Sequence, residues 1–102
     1  MVKSAIPATN LQAVRAKLNQ DAHIVGTITK VYTPASHARV LLNFARNYKG
    51  AVVGLVDARN FSQFPDLSQL AGKRVVLSGH IIAYKDEIEI ALDTSNSIRV
   101  VK

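Results

Sequence analysis

Residues 79–92 read Gly79-His80-Ile81-Ile82-Ala83-Tyr84-Lys85-Asp86-Glu87-Ile88-Glu89-Ile90-Ala91-Leu92, two runs of alternating character joined at the charged pair Lys85-Asp86. A strand points successive side chains to opposite faces, so a period of two predicts two strands, 75–84 and 87–92, paired through a tight turn. Upstream, Gly26-Thr27-Ile28 and Gly72-Lys73-Arg74-Val75 carry the same β character, and together these segments predict a small closed β-barrel. A barrel of this kind is a binding surface first and an enzyme second.

Working outward, Ile24, Gly26 and Ile28 fall on one face of a first strand and Val25, Thr27 and Thr29 on the other. Gly26 inside that strand predicts a bulge or sharp coil, and Val31, out of phase with Ile28, predicts a bend. After the turn-rich Thr33-Pro34-Ala35-Ser36-His37, a second strand over 39–45 aligns Val40, Leu42 and Phe44. Asn47-Tyr48-Lys49-Gly50 marks another turn, and a third strand over 51–57 is apolar on both faces. Phe61, Phe64, Leu67 and Leu70 then predict a helical plug, with Asp66 as a cap and Gly72 as the stop.

At the N-terminal end, Thr9-Asn10-Leu11-Gln12 fits a capping box. It opens a helix over 10–19 that buries Leu11, Val14 and Leu18 and leaves Arg15 and Lys17 in water. A short final strand is expected at 98–101. Connectors 33–38 and 46–50 are too short to hold helices, which argues against a βαβ arrangement. The expected architecture is all-β with short helices, one domain over residues 1–102. It is a five-stranded OB-fold barrel spanning about residues 22–101, with an N-terminal helix and a helical segment between strands 3 and 4.

A chain of 102 residues suits one domain and buries enough surface, roughly 60 to 68% of what it exposes unfolded, to fold without staples. With no cysteine, disulfides, thiol catalysis and Cys-based zinc sites are excluded. Thirteen Lys and Arg against seven Asp and Glu give a net charge of +6, whose field favours polyanions, nucleic acid foremost. No stretch approaches the roughly 20 apolar residues that span a bilayer, and residues 1–7 lack the apolar run of a signal peptide. The expectation is a soluble protein, cytoplasmic if the chain is complete, with no membrane partner.

The residues resemble a family of bacterial OB-fold domains found alone or appended to phospholipase-D-like and thermonuclease-like proteins. The resemblance rests on Gly26-Thr27-Ile28, Leu42-Asn43-Phe44, the Phe61 and Phe64 pair ahead of Leu70-x-Gly72-Lys73-x-Val75, Gly79-x-Ile81-x-x-Tyr84 and Glu89-Ile90-x-Leu92. It implies a nucleic-acid-binding type of barrel, often an accessory to a fused catalytic domain. Many relatives carry an aromatic residue near the start of the third strand, where this chain has Ala51-Val52-Val53, so one base-stacking platform of the family is missing here.

Single-strand binding by such a barrel needs cations for phosphate and aromatic faces for bases. The candidates are Tyr32, Tyr48 and Tyr84 at strand ends, accompanied by Lys30, Arg39, Arg46, Lys49 and Lys85. Phe44, Phe61 and Phe64 are expected in the core. His23, His37 and His80 lack any close ligand spacing, so no metal or other cofactor is expected, and His37 and His80 are read as surface residues. Asp57-Ala58-Arg59 and the group Asp86, Glu87, Glu89 are the dense carboxylate candidates for a nuclease. The first reads more simply as a helix cap and the second as a solvated edge alternating with apolar residues. The expected function is non-catalytic binding of single-stranded nucleic acid with low sequence specificity. The alternative is a protein-docking or oligomerisation module, accessory to a hydrolase.

Overall fold

A computed structural model describes residues 5–33, 39–45, 51–64, 67–84 and 87–101. Among them are eight strands: β1 (Ile6–Pro7), β2 (Asp21–Thr27), β3 (Lys30–Tyr32), β4 (Arg39–Asn43), β5 (Val53–Asp57), β6 (Arg74–Tyr84), β7 (Glu87–Ala91) and β8 (Ile98–Val100). They form one mixed sheet in the order β1-β2-β6-β7-β5-β4-β3, with β8 also on β6. The chain is thus mostly β, as expected, but the count of five strands and the continuous closed ladder are corrected: seven of the eight strands pair along an open path and β8 adds to β6 beside it.

The extra strands have local causes. The first expected strand breaks at Ile28 and Thr29, whose N–H groups donate in different directions, Ile28 to the Lys73 carbonyl at 2.9 Å and Thr29 to the Asn43 carbonyl at 2.7 Å. One half of the segment therefore pairs with β6 and the other with β4. This is the bend that the phase slip at Val31 announced. Gly26 is not a bulge; it keeps register with Val75. Its role is close packing, since a Cβ there would lie 2.8 Å from the Phe44 ring. β8 pairs with residues 75–77 of β6 and β7 with residues 80–84. β5 and β7 run parallel, while β6 and β7 are antiparallel.

The N-terminal helix α1 spans Leu11–Arg15, shorter than the expected 10–19, and its cap is Asn10 rather than Thr9. The Asn10 Oδ1 accepts from the Ala13 N–H at 3.3 Å. Past Arg15 the chain tightens into i→i−3 turns, the Lys17 N–H donating to the Val14 carbonyl and the Leu18 N–H to the Arg15 carbonyl, and at Asn19 it adopts φ 65°, which asparagine tolerates better than most residues. The Asn19 N–H donates to the Ile81 carbonyl, steering the chain into β2. Val14 is fully buried and Leu18 packs against the core, as the stripe predicted.

Between β5 and β6 the plug is two 3-10 turns, Ala58–Gln63 and Leu67–Leu70, rather than α-helix. Phe64 between them is extended, so the first turn cannot propagate. Leu67 and Leu70 are buried, and Phe61 and Phe64 lie partly buried against the core. Asn60 ties the first turn to the end of β7, donating from Nδ2 to the Asp93 carboxylate at 3.4 Å. The proposed Asp66 cap lies outside the described residues.

Inward positions of the strands form one buried cluster that includes Ile24, Leu42, Val56, Leu77, Ile81 and Ile90. At about 25 cal/mol per Å² of apolar surface, this burial is the main term opposing chain entropy. Strand alternation then leaves the other parity facing outward, and that outer face holds the candidate site.

Candidate nucleic-acid interface

Residues opposite one another in a ladder share a face. Lys30 pairs with Asn43, Asn43 with Val53, Val53 with Glu89 and Glu89 with Ile82, giving one row across the outer face. Tyr32, Leu41, Leu55, Ala91, His80 and Asp21 make a second row. Arg39 opposite Asp57 begins a third. Three of the expected site residues, Lys30, Tyr32 and Arg39, therefore stand on one surface, that of β3, β4 and β5.

Their environments differ. Tyr32 is 46% exposed, one of the large apolar side chains left in solvent, and the Lys30 Nζ sits 5.7 Å from the centre of its ring. A cation at that distance over a ring is attracted by its negative face, which holds both groups side by side. Arg39 and Leu41 are half-buried, as are Asn43 and Leu55. The face is thus a shallow apolar floor with cationic and aromatic side chains standing on it. Asp57 contacts Arg59 at 3.8 Å in an exposed pair that contributes little.

The solvated-edge reading of Glu89 is corrected. Glu87 is half-buried, but Glu89 is only 4% exposed. Its neighbours in register are apolar, Val53 buried on one side and Ile82 half-buried on the other. Burial raises its pKa above the ordinary 4.5, Glu87 adds repulsion in the same direction, Arg39 opposes it, and Asp57 adds a further push upward.

Of the other expected site residues, Tyr84 ends β6 with its backbone in register with Glu87. Arg46, Tyr48, Lys49 and Lys85 lie outside the described residues, as does His37. The spacing argument did not place Leu41, Asn43 or Leu55 on this face, and it read Glu89 only as part of a solvated edge. Their signal was in the sequence as the strand positions out of phase with Val40, Leu42, Val56 and Ile90.

A second polar group lies on the outer face of β2 and β6. His23 and Ser78 are register partners, with Nδ1 and Oγ 2.7 Å apart, and the next pair along the ladder joins His80 Nδ1 to Asp21 Oδ1 at 3.2 Å. They border an open cleft of about 530 Å³ that Asp93, Thr94, Asn96 and Ser97 complete. His80 is exposed, as read, yet the fold brings it near His23, from which 56 residues of sequence separate it. Among the described residues no group of three or more His, Asp or Glu is placed to hold a metal ion.

No protein-family model matches the chain, and no curated protein sequence does. Its fold, a mostly β domain built on a mixed sheet, recurs among solved structures. One of these is asparaginyl-tRNA synthetase from Pyrococcus horikoshii, matched with a TM-score of 0.67 at 14% identity. The match covers 100% of this chain and 24% of the synthetase, so the chain spans about a quarter of that protein's length. At this identity the likeness concerns the fold.

Proposed function

We propose that the chain is an OB-type barrel that binds single-stranded nucleic acid through the outer face of β3, β4 and β5, with low overall sequence specificity and without catalysis. Two features of the sheet favour the OB reading. The hydrogen-bonded path runs from β2 to β3 apart from the added β1, and these are the two halves of one bent segment, so the covalent chain bridges the path's two ends. The parallel pairing of β5 with β7, where the other pairings apart from that of β1 are antiparallel, lets the third and fifth core strands meet. The likeness to part of a synthetase whose name declares tRNA as its substrate lends support of the same kind.

The observation that carries the reading is the grouping of Lys30, Tyr32 and Arg39 on one face, with the Tyr32 ring exposed. Phosphate takes the cations and a base stacks on the ring, an arrangement that tolerates any sequence because every base has a π-face. A nuclease reading is weaker. Asp57 stands four residues beyond the register partner of Glu89, about 13 Å along the strand, too far for the two backbones to aim both carboxylates at one metal ion.

The test is titration of a labelled oligo-thymidylate at rising salt. Binding at low salt should weaken linearly on a logarithmic plot, with a slope of about 0.7 per phosphate neutralised. No binding at low salt would end the proposal. A docking role for a partner protein or a fused catalytic domain draws on one observation, the exposed Val100 on β8, a strand that among the described residues pairs only with β6. An exposed edge can accept an added strand. Concentration-dependent mass in solution, lost on Val100→Lys, would support that reading instead.

A further inference from the structure

Glu89 is the unusual group on the proposed face. It is only 4% exposed, yet among the described residues its side chain forms no hydrogen bond or ion pair. No side-chain oxygen or nitrogen fully cut off from solvent lacks a partner there, so the Glu89 carboxyl oxygens keep a narrow opening to water. A buried acceptor without a donor is costly unless something fills its hydrogen-bonding capacity at least part of the time. By register it stands on the same outward side as Lys30 and Asn43, three strand spacings or about 14 Å from Lys30. That is the reach of a short oligonucleotide laid across the strands.

We propose that Glu89 reads one base of the bound strand, and that the base it selects is guanine. The inference rests on the single-strand binding proposed above and adds a specificity determinant to it. An ionised carboxylate is acceptor only and takes two parallel donors best. Guanine alone offers two adjacent donors, N1–H and the N2 amino group, on its pairing edge. Adenine and cytosine set an acceptor beside their amino group, and thymine and uracil flank one N–H with two carbonyls that a carboxylate repels. Val53 and Ile82, in register on either side, supply apolar flanks suited to a flat ring. An arginine side chain also presents paired donors, but it would enter a chain of net charge +6 beside Lys30 and Arg39, whereas a guanine is neutral and brings a phosphate those cations attract.

The experiment compares an oligo-thymidylate with the same strand carrying one central guanine, inosine or adenine, by fluorescence anisotropy at low salt. The guanine strand should bind about tenfold more tightly than oligo-thymidylate, within the range of one bidentate base contact. Inosine, which keeps N1–H and lacks the amino group, should fall between. Glu89→Gln, nearly the same shape, should erase the guanine preference while leaving oligo-thymidylate affinity within about twofold. Equal binding of all strands by the unchanged protein, or a preference that survives Glu89→Gln, overturns the inference and leaves the general binding proposal standing. Failure of every strand to bind overturns both. The guanine and inosine comparison needs no variant, so it decides the matter even if Glu89→Gln fails to fold. An arginine-rich peptide that binds with Glu89 dependence, where guanine gains nothing, also overturns it.

Discussion

Two outer surfaces of the sheet are polar, yet they are built differently. On β2 and β6 four polar side chains already meet in pairs, His23 with Ser78 and His80 with Asp21, each across one rung of the ladder. On β3 and β7 the side chains of the proposed site do not: among the described residues Lys30 meets the Tyr32 ring alone, Tyr32 is open to water, and Glu89 is buried with no hydrogen-bond donor. Groups that complete one another within the protein offer little to a ligand, whereas groups held apart on a rigid sheet retain their hydrogen-bonding and stacking capacity for one. This contrast, more than the net charge, singles out the face proposed for binding.

The most severe way to break the comparison is to damage what both surfaces share. A Cβ at Gly79 would collide with the Ala91 carbonyl oxygen between β6 and β7. Gly79→Ala should destabilise the fold by about 3 kcal/mol and weaken both surfaces together, read as a lowered midpoint in urea unfolding. A normal midpoint would mean that β6 and β7 do not approach as closely as described.

Tyr32→Ala should separate the surfaces. The exposed ring contributes little to folding, so stability should hold, while nucleic-acid affinity falls by about 1 to 3 kcal/mol. His23→Ala and Ser78→Ala should leave that affinity unchanged; a loss equal to that of Tyr32→Ala would move the interface to β2 and β6. Lys30→Met should lower the salt slope by about 0.7, the signature of one phosphate contact removed. An unaltered slope would limit Lys30 to holding the ring.

Acid stability distinguishes the two carboxylates of the comparison. Glu89 has a folded pKa raised above its unfolded value, so folding favours its protonated form. Its ionised form therefore costs stability at neutral pH. That cost is relieved as pH falls through the raised pKa toward 4.5. Glu89→Gln should be more stable than the unchanged protein at pH 7, with the difference vanishing toward pH 4. Arg39→Met should widen the difference, because Arg39 is the cation that opposes the shift. The smallest effect belongs to Asp21→Asn, which weakens an exposed contact with His80 and should change stability by less than about 0.5 kcal/mol.

Much of this was legible before any coordinates. Val40, Leu42 and Phe44 turn inward as their alternation requires, and all are buried. Tyr32, at a strand end, and the accompanying cations Lys30 and Arg39 share a face. Glu89 was misread because alternation tells which side of a strand a residue occupies but not what stands beside it. The same limit hid the His23 and Ser78 contact, which joins residues 55 apart in sequence. The helix is shorter than its stripe because the turns after Arg15 close with i→i−3 bonds and the Asn19 N–H then goes to Ile81, a partner far along the chain.

What the sequence determined by itself is the β character, the inward stripe and the excess of positive charge, since each follows from side-chain period, size and charge along the chain. Only the tertiary structure decided that residues 21–32 split between two partners, that strands distant in sequence meet in parallel, and that one carboxylate is buried while its neighbour two residues away is half-open. Register between strands sets those outcomes, and register depends on where every strand lies at once.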